Sequence, residues 1–394
     1  MASKLFLTLR LAAMPILIWF VAWTETRHFP DYFRLLSIIF VFLLLADLAS
    51  FARGKLRDLL LMVVSLAFGA AVIEAVAYFN EPKQMIVSTD GYTVRRPVIG
   101  WGPGRAGLFH SEKIDPKSGA VIYSVDYTID ENLLRQTRSS ETGPTIVFFG
   151  DSMTFGLGVN DADTLPQVFA DSLDRKGRVL NLAFGGYGPQ QFLRELETGL
   201  FDPIIAPRPK LFIFMTTPWH AERTACKVSW VLHAPRYVVE NGQVQFKGTC
   251  YEGASLSLQE WLWNSASYRT FVGPLGSKLT SDDIETYIRI LLAAVRLAKE
   301  KYGAETIIPF MAAAGNYLPG TGFDNDAIIA RLKAGGALVL DVSLKKEEAA
   351  GAKIQIEGDG HPTPLANRLR AAMLKDLIET HTPSALVSSQ EHAP

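Results

Sequence analysis

Thr145-Ile146-Val147-Phe148-Phe149 is an unbroken apolar run, and it ends on Gly150-Asp151-Ser152. Continuous rather than alternating hydrophobicity over five residues fits a strand covered on both faces. Working outward, helical and strand periods alternate to the end of the chain. Helices are expected over residues 164–173, 189–200, 281–302, 324–333 and 364–379, and further strands over 179–184, 211–215, 306–310 and 337–342. Such alternation implies an α/β domain: a three-layer αβα parallel sheet with helices on both faces. Sites in these sheets lie at the carboxyl ends of the strands, which is where Ser152 falls.

The 394 residues exceed one small domain, and length alone suggests two to three units. Residues 1–80 read as a membrane anchor, 81–140 as a small β-rich lead-in without nameable chemistry, and 141–380 as the α/β domain. Within the last, residues 221–280 form an insertion, and residues 381–394 read as a disordered tail. Lys+Arg 39 against Asp+Glu 40 leaves a net charge of −1, without the basic excess of a nucleic-acid binder. Two cysteines exclude a four-thiolate zinc site.

Three apolar stretches cover residues 11–23, 35–51 and 59–79. A bilayer crossing takes about 20 mostly apolar residues, so the second and third qualify, and the first does if residues 5–9 join it. A cleaved signal peptide is the rival for the first, but no small-residue cleavage site follows Trp23. Lys4 and Arg10 precede the first stretch, and Arg53, Lys55 and Arg57 separate the other two. The positive-inside rule then puts both clusters in the cytoplasm and everything after Asn80 outside, which in a bacterium means a multi-pass inner-membrane protein with a periplasmic domain. Asp47 and Glu74 are expected to reach the interface from helix ends, as in an anchor rather than a transporter.

Inside the insertion, Asn241-Gly242 between β-formers signals a hairpin. Cys226 and Cys250 bracket it, and in an oxidising compartment they are expected to staple its base. Trp230, Trp261, Trp263 and Tyr268 fall in the same insertion; core packing is the usual role, and a sugar-stacking platform is the functional alternative.

Serine is a weak nucleophile unless a base takes its proton, and histidine is the natural base near neutrality. Of seven histidines, His361 is best placed, in Gly358-Asp359-Gly360-His361 just before the last helix. Asp359 could fix its tautomer. Asn160, Asp161 and Asp163 are read as helix-capping residues rather than a metal cluster.

Gly150-Asp151-Ser152 after a strand resembles the first block of the SGNH/GDSL hydrolase family. Asn181-Leu182-Ala183-Phe184-Gly185-Gly186 is similar to its second block, and Asp359-Gly360-His361 to its last. The resemblance covers residues 145–380 and implies a flavodoxin-like αβα fold. It implies Ser152 as nucleophile, His361 as base and Asp359 as orienting acid, with the backbone N–H groups of Ser152 and Gly186 in the oxyanion hole. No metal or cofactor is implied. Two departures stand out. The family's third block offers an asparagine, and here Phe214-Met215-Thr216-Thr217-Pro218-Trp219-His220 has none, leaving Thr217 or His220 to substitute. Only Gly360 separates Asp359 from His361, a spacing similar to periplasmic alginate-type O-acetyltransferases of the same superfamily. The expectation is a membrane-anchored periplasmic serine esterase acting on acyl esters of envelope glycans or lipids. Its alternatives are an O-acyltransferase of exported polysaccharide, which would need a membrane acyltransferase partner to supply the acyl group, and a non-catalytic assembly or binding protein of the same fold.

Overall fold

The computed structural model describes residues 8–19, 32–82, 85–89, 91–205 and 209–386. The chain divides into two compact units. One contains the N-terminal region to residue 83 together with residues 253–278; the other contains residues 84–252 and 279–394.

The second unit is built on a parallel sheet. Its strands, with those of the lead-in, are β1 (Met85–Ser88), β2 (Val94–Arg96), β3 (Gly100–Gly102), β4 (Gly107–Ile114), β5 (Val121–Ile129), β6 (Thr145–Phe149), β7 (Arg178–Asn181), β8 (Pro209–Phe214), β9 (Pro235–Glu240), β10 (Gln243–Thr249), β11 (Glu305–Phe310) and β12 (Leu338–Asp341). Five of them form the central sheet in the order β12-β11-β8-β6-β7, all parallel. All five residues of β6 are buried, as its continuous hydrophobicity requires. Ile146 and Phe148 face one layer with Phe169, Leu374 and Ile378, from the helices Leu165–Ser172 and Pro364–His381. Val147 and Phe149 face the other with Phe192, Leu291 and Leu332, from the helices Pro189–Thr198, Ser281–Tyr302 and Asn325–Ala334. The result is a three-layer αβα domain. The chain leaves β6 toward β7 on one side and returns to β8 on the other, so the strand order reverses at the β6/β8 carboxyl ends, the usual place for a site.

Local boundaries move by a few residues. β7 stops at Asn181, and its side-chain oxygen accepts from the Ala183 amide. The Leu182 amide still donates to the Phe148 carbonyl and the Phe184 amide to the Gly150 carbonyl, so the chain stays against β6, but the expected strand over 179–184 is regular only to Asn181. The cap of the helix Leu165–Ser172 is Thr164, which accepts from the Gln167 amide. Asn160 and Asp161 instead accept from the Asp126 and Thr128 amides of β5. The lead-in is an antiparallel sheet β1-β4-β5 with a separate ribbon of β2 and β3. The last helix continues into the turn Pro383–Ala385, and buried Ala385 joins the core. Residues 381–386 of the expected disordered tail are thus ordered, and residues 387–394 lie outside the described ones.

In the first unit, Tyr32–Phe51 and Gly54–Asn80 are the two helices long and apolar enough to cross a membrane among the described residues. A two-residue connection makes them antiparallel, and Phe42 packs on Phe68. The first apolar stretch appears as the short helix Thr8–Trp19; residues 20–23 lie outside the described ones. Asp47 and Glu74, expected at helix ends, are buried and paired. Arg10 donates twice to Asp47, at 3.0 and 2.6 Å. Glu74, 2% exposed, accepts from the Ser265 and Ser267 hydroxyls, each at 2.6 Å, and from the Ala266 amide at 2.7 Å. Residues 253–278 are thereby tied to the helix Gly54–Asn80, and Arg269 pairs with Glu81. The expected insertion of residues 221–280 is thus divided, with 221–252 remaining in the α/β unit.

Candidate functional site

The site begins at the end of β6. Gly150 has φ +145, and a Cβ there would stand 2.5 Å from Thr154 Oγ1, so only glycine allows the sharp exit. Asp151 then caps the short helix Ser152–Phe155 by accepting from the Met153 amide, which presents Ser152 at the sheet's carboxyl edge. The turn that follows is clamped from below. Arg135, 2% exposed, donates to the carbonyls of Phe155, Gly156 and Val159 at 3.2, 2.8 and 2.9 Å and stacks on Tyr127 and Phe155. Its pKa is lowered by burial, with Asp161 opposing.

Ser152 Oγ lies 2.9 Å from His361 Nε2, and His361 Nδ1 lies 2.5 Å from Asp359 Oδ2. An ionised carboxylate only accepts, so Nδ1 carries the proton and Nε2 is free to accept from the serine hydroxyl. Asp359 has a second partner: Lys113 Nζ donates to its other oxygen at 2.7 Å. Burial pushes the Asp359 carboxyl up, but His361 and then Lys113 outweigh it and hold its pKa at about 2. Lys113 comes from β4, so the lead-in does contribute to the site. Its signal was in the sequence: Phe109, Ser111 and Lys113 share the buried face of β4, and a lysine at an inward strand position needs a partner.

Asp151 is a second buried carboxylate, with a different task. It accepts from His220 Nε2 at 3.0 Å and Arg223 Nη1 at 2.9 Å. Burial would raise its pKa, but Arg223 and His220 hold it well below the usual carboxylate range. Because Asp151 can only accept, His220 carries its proton on Nε2. Burial, reinforced by Arg223, holds the His220 pKa down at about 4, so the ring is neutral and Nδ1 accepts. Thr216 must then donate to Nδ1 at 3.1 Å, and Tyr287 must donate to Thr216 at 2.9 Å. Every polar atom of the His220 ring is committed. His220 is therefore not available as a stand-in for the missing asparagine, because both its nitrogens hold Asp151 and Thr216 behind the Ser152 turn. Arg223 also donates to the Tyr187 carbonyl, joining the second sequence block to the first. His220 and Arg223, three residues apart on one short helix after an apolar strand, were the legible hint of this network.

Thr217 behaves differently. It is fully buried and its hydroxyl has no hydrogen-bond partner among the described residues. Gly186 has φ +81 and lies in a segment pinned to the Ser152 turn, since the Phe184 amide donates to the Gly150 carbonyl at 3.3 Å. Trp101 Nε1 donates to the Gly185 carbonyl at 2.8 Å.

Cys226 and Cys250 form a disulfide, with Cα atoms 5.5 Å apart. It closes the base of the β9/β10 hairpin, in which Glu240 pairs with Gln243 around Asn241-Gly242, both at positive φ. Of the four aromatics for which core packing was the usual reading and a sugar platform the alternative, Trp261, Trp263 and Tyr268 belong to the other unit, and only Trp230 belongs to this one.

No family model and no curated protein matches the chain. The solved structures similar to it include SGNH and G-D-S-L-family proteins. One is the psychrotrophic esterase EstA from Pseudoalteromonas sp., 15% identical, covering 60% of this chain and 96% of that one, with a TM-score of 0.35. A lipase/acylhydrolase from Enterococcus faecalis is 13% identical over 60% of this chain and 95% of that one, with a TM-score of 0.34. A carbohydrate acetylesterase family member from Sinorhizobium meliloti is also 13% identical, over 60% and 97%, with a TM-score of 0.34.

Proposed function

We propose that the α/β unit is an SGNH-type serine ester hydrolase. The observation that carries this reading is the relay Ser152–His361–Asp359, with contacts of 2.9 and 2.5 Å. Ser152 Oγ attacks the acyl carbon while His361 Nε2 takes its proton. The C–O bond to the alcohol breaks, and the imidazolium returns the proton to the leaving oxygen. Water then repeats the sequence on the acyl-serine and releases the acid. Asp359 stabilises the imidazolium throughout. The tetrahedral intermediate's oxygen is received by the backbone N–H groups of Ser152 and Gly186, with the Thr217 hydroxyl as the third donor in place of an asparagine. The non-catalytic reading rested on that missing donor, and the intact relay weighs against it.

The helices Tyr32–Phe51 and Gly54–Asn80 are read as a membrane anchor. Arg53, Lys55 and Arg57 between them favour a cytoplasmic loop, which places the chain after Asn80 on the outer face whether or not the first apolar stretch crosses. The Cys226–Cys250 disulfide suits an oxidising periplasm. The full chain in detergent, given a small acetyl ester, should release acetate, and Ser152→Ala should lower the rate at least about 10³-fold. Equal turnover by wild type and Ser152→Ala would sink the reading. Acetyl appearing on an added oligosaccharide above the hydrolysis background would redirect it to acyl transfer.

A further inference from the structure

We propose that Trp230 is a stacking platform for a pyranose ring on the alcohol side of the scissile ester, so that the substrate of this site is an O-acylated glycan. The inference rests on the ester-hydrolase reading and adds to it the substrate class.

Trp230 is 53% exposed, yet it is not a loosely hung surface residue. A Cβ at Gly186 would stand 3.0 Å from Trp230 Cδ1, 3.1 Å from its Nε1 and 3.2 Å from Trp101 Cζ2. Two indoles therefore lie against this glycine, and any side chain there would displace them. Gly186 in turn is fastened to the nucleophile turn on both flanks. The Phe184 amide bonds to the Gly150 carbonyl, and Arg223 bridges the Tyr187 carbonyl and the Asp151 carboxylate. A half-exposed indole thus lies against Gly186, in a segment bonded to the Ser152 turn.

The backbone carrying Trp230 is fixed independently of its ring. Val231 next to it is fully buried and packs with Ala234 and Cys250. The Cys250 amide donates to the Ala234 carbonyl at 2.9 Å, the Tyr251 amide donates to the Leu232 carbonyl at 3.1 Å, and the Cys226–Cys250 disulfide closes the segment. The ring is held by a stapled support, at the expense of leaving about half of it in water.

A flat, rigid, half-wet indole matches one ligand chemistry well. A pyranose presents an apolar face of C–H groups that lies on an aromatic ring, while its hydroxyls stay in solvent at the edge. Its rigid ring stacks without freezing many rotors. A flexible lipid chain instead needs an enclosing apolar groove. In the reaction, the C–O bond between acyl carbon and sugar oxygen breaks, and the sugar leaves as a free hydroxyl carrying the proton from His361.

The test compares kcat/KM for an acetylated methyl pyranoside with that for triacetin, an acetyl ester without a ring, using the full chain in detergent. Trp230→Ala should lower the pyranoside-to-triacetin ratio at least about tenfold, mainly through KM, and Trp230→Phe should restore most of it. Trp261→Ala, in the other unit, should leave the ratio unchanged. Parallel loss on both esters would make Trp230 merely structural and overturn the proposal. So would an unchanged ratio, or a selective loss on a long-chain acyl ester, which would assign the ring to lipid. Wild type inactive on both esters would instead overturn the hydrolase reading, a distinguishable failure.

Discussion

Lys113→Met removes the ammonium that donates to Asp359 Oδ1 at 2.7 Å. The two side chains are 10% and 3% exposed, so solvent offers little replacement. In the intact protein Asp359 is held at about 2 against an ordinary 3.8. That lowering corresponds to roughly 2 kcal/mol of stability at neutral pH. His361 is the stronger of the two partners, so the share of Lys113 is about 1 kcal/mol, rising to ~2 if the carboxylate left behind relaxes poorly. The folded pKa lies below the unfolded one. The stabilisation is therefore complete above about pH 4 and is lost as pH falls through about 2. Urea unfolding of the full chain in detergent, followed by tryptophan fluorescence, should show the Lys113→Met deficit at pH 7 and 5 and a smaller one at pH 3. Lys113→Arg, which keeps the charge, should recover most of it. With its orienting carboxylate less firmly held, the His361 relay should also lose about tenfold in kcat/KM. A deficit that is the same at pH 3 as at pH 7 would refute the reasoning and make the loss one of packing. An arginine variant as impaired as the methionine one would refute it too.

Two further outcomes are expected. Thr217→Val keeps the shape but removes the unpartnered buried hydroxyl; kcat should fall by about 10²-fold with KM little changed, while the urea midpoint stays the same or rises. A drop in stability with unaltered kcat would show that the hydroxyl serves the fold and not the intermediate. For His220, the folded pKa of about 4 lies below the ordinary 6.5, so the unfolded chain binds the extra proton first. Stability should therefore fall as pH drops from about 6.5 to about 4, by roughly 3 kcal/mol. His220→Gln should be less stable at pH 7 and nearly flat over that window; a mutant with the wild-type slope would assign the acid sensitivity elsewhere.

Much of the site was legible because its signals are local. The apolar run 145–149 specifies a strand buried on both faces, and β6 is one. Asn241-Gly242 demands positive φ at both positions, and the hairpin has it. Ser152, His361 and Asp359 each sat at a strand exit or helix entry that the hydrophobic period already marked.

Only the folded chain could decide which of these groups meet and what each does there. The relay joins residues 209 apart in sequence, and Lys113 reaches a carboxylate 246 residues away. Sequence marked His220 as a candidate donor; tertiary packing assigned both its nitrogens, to Asp151 and Thr216, and removed it from that role. Four aromatics looked equivalent along the chain, and the division into two units left one beside Gly186. Periodicity and turn chemistry depend on neighbours a few residues away, so the amino-acid order by itself determines where strands, helices and turns form. Strand order and layer packing bring distant charges together and desolvate them, and desolvation is what makes each partner's identity consequential.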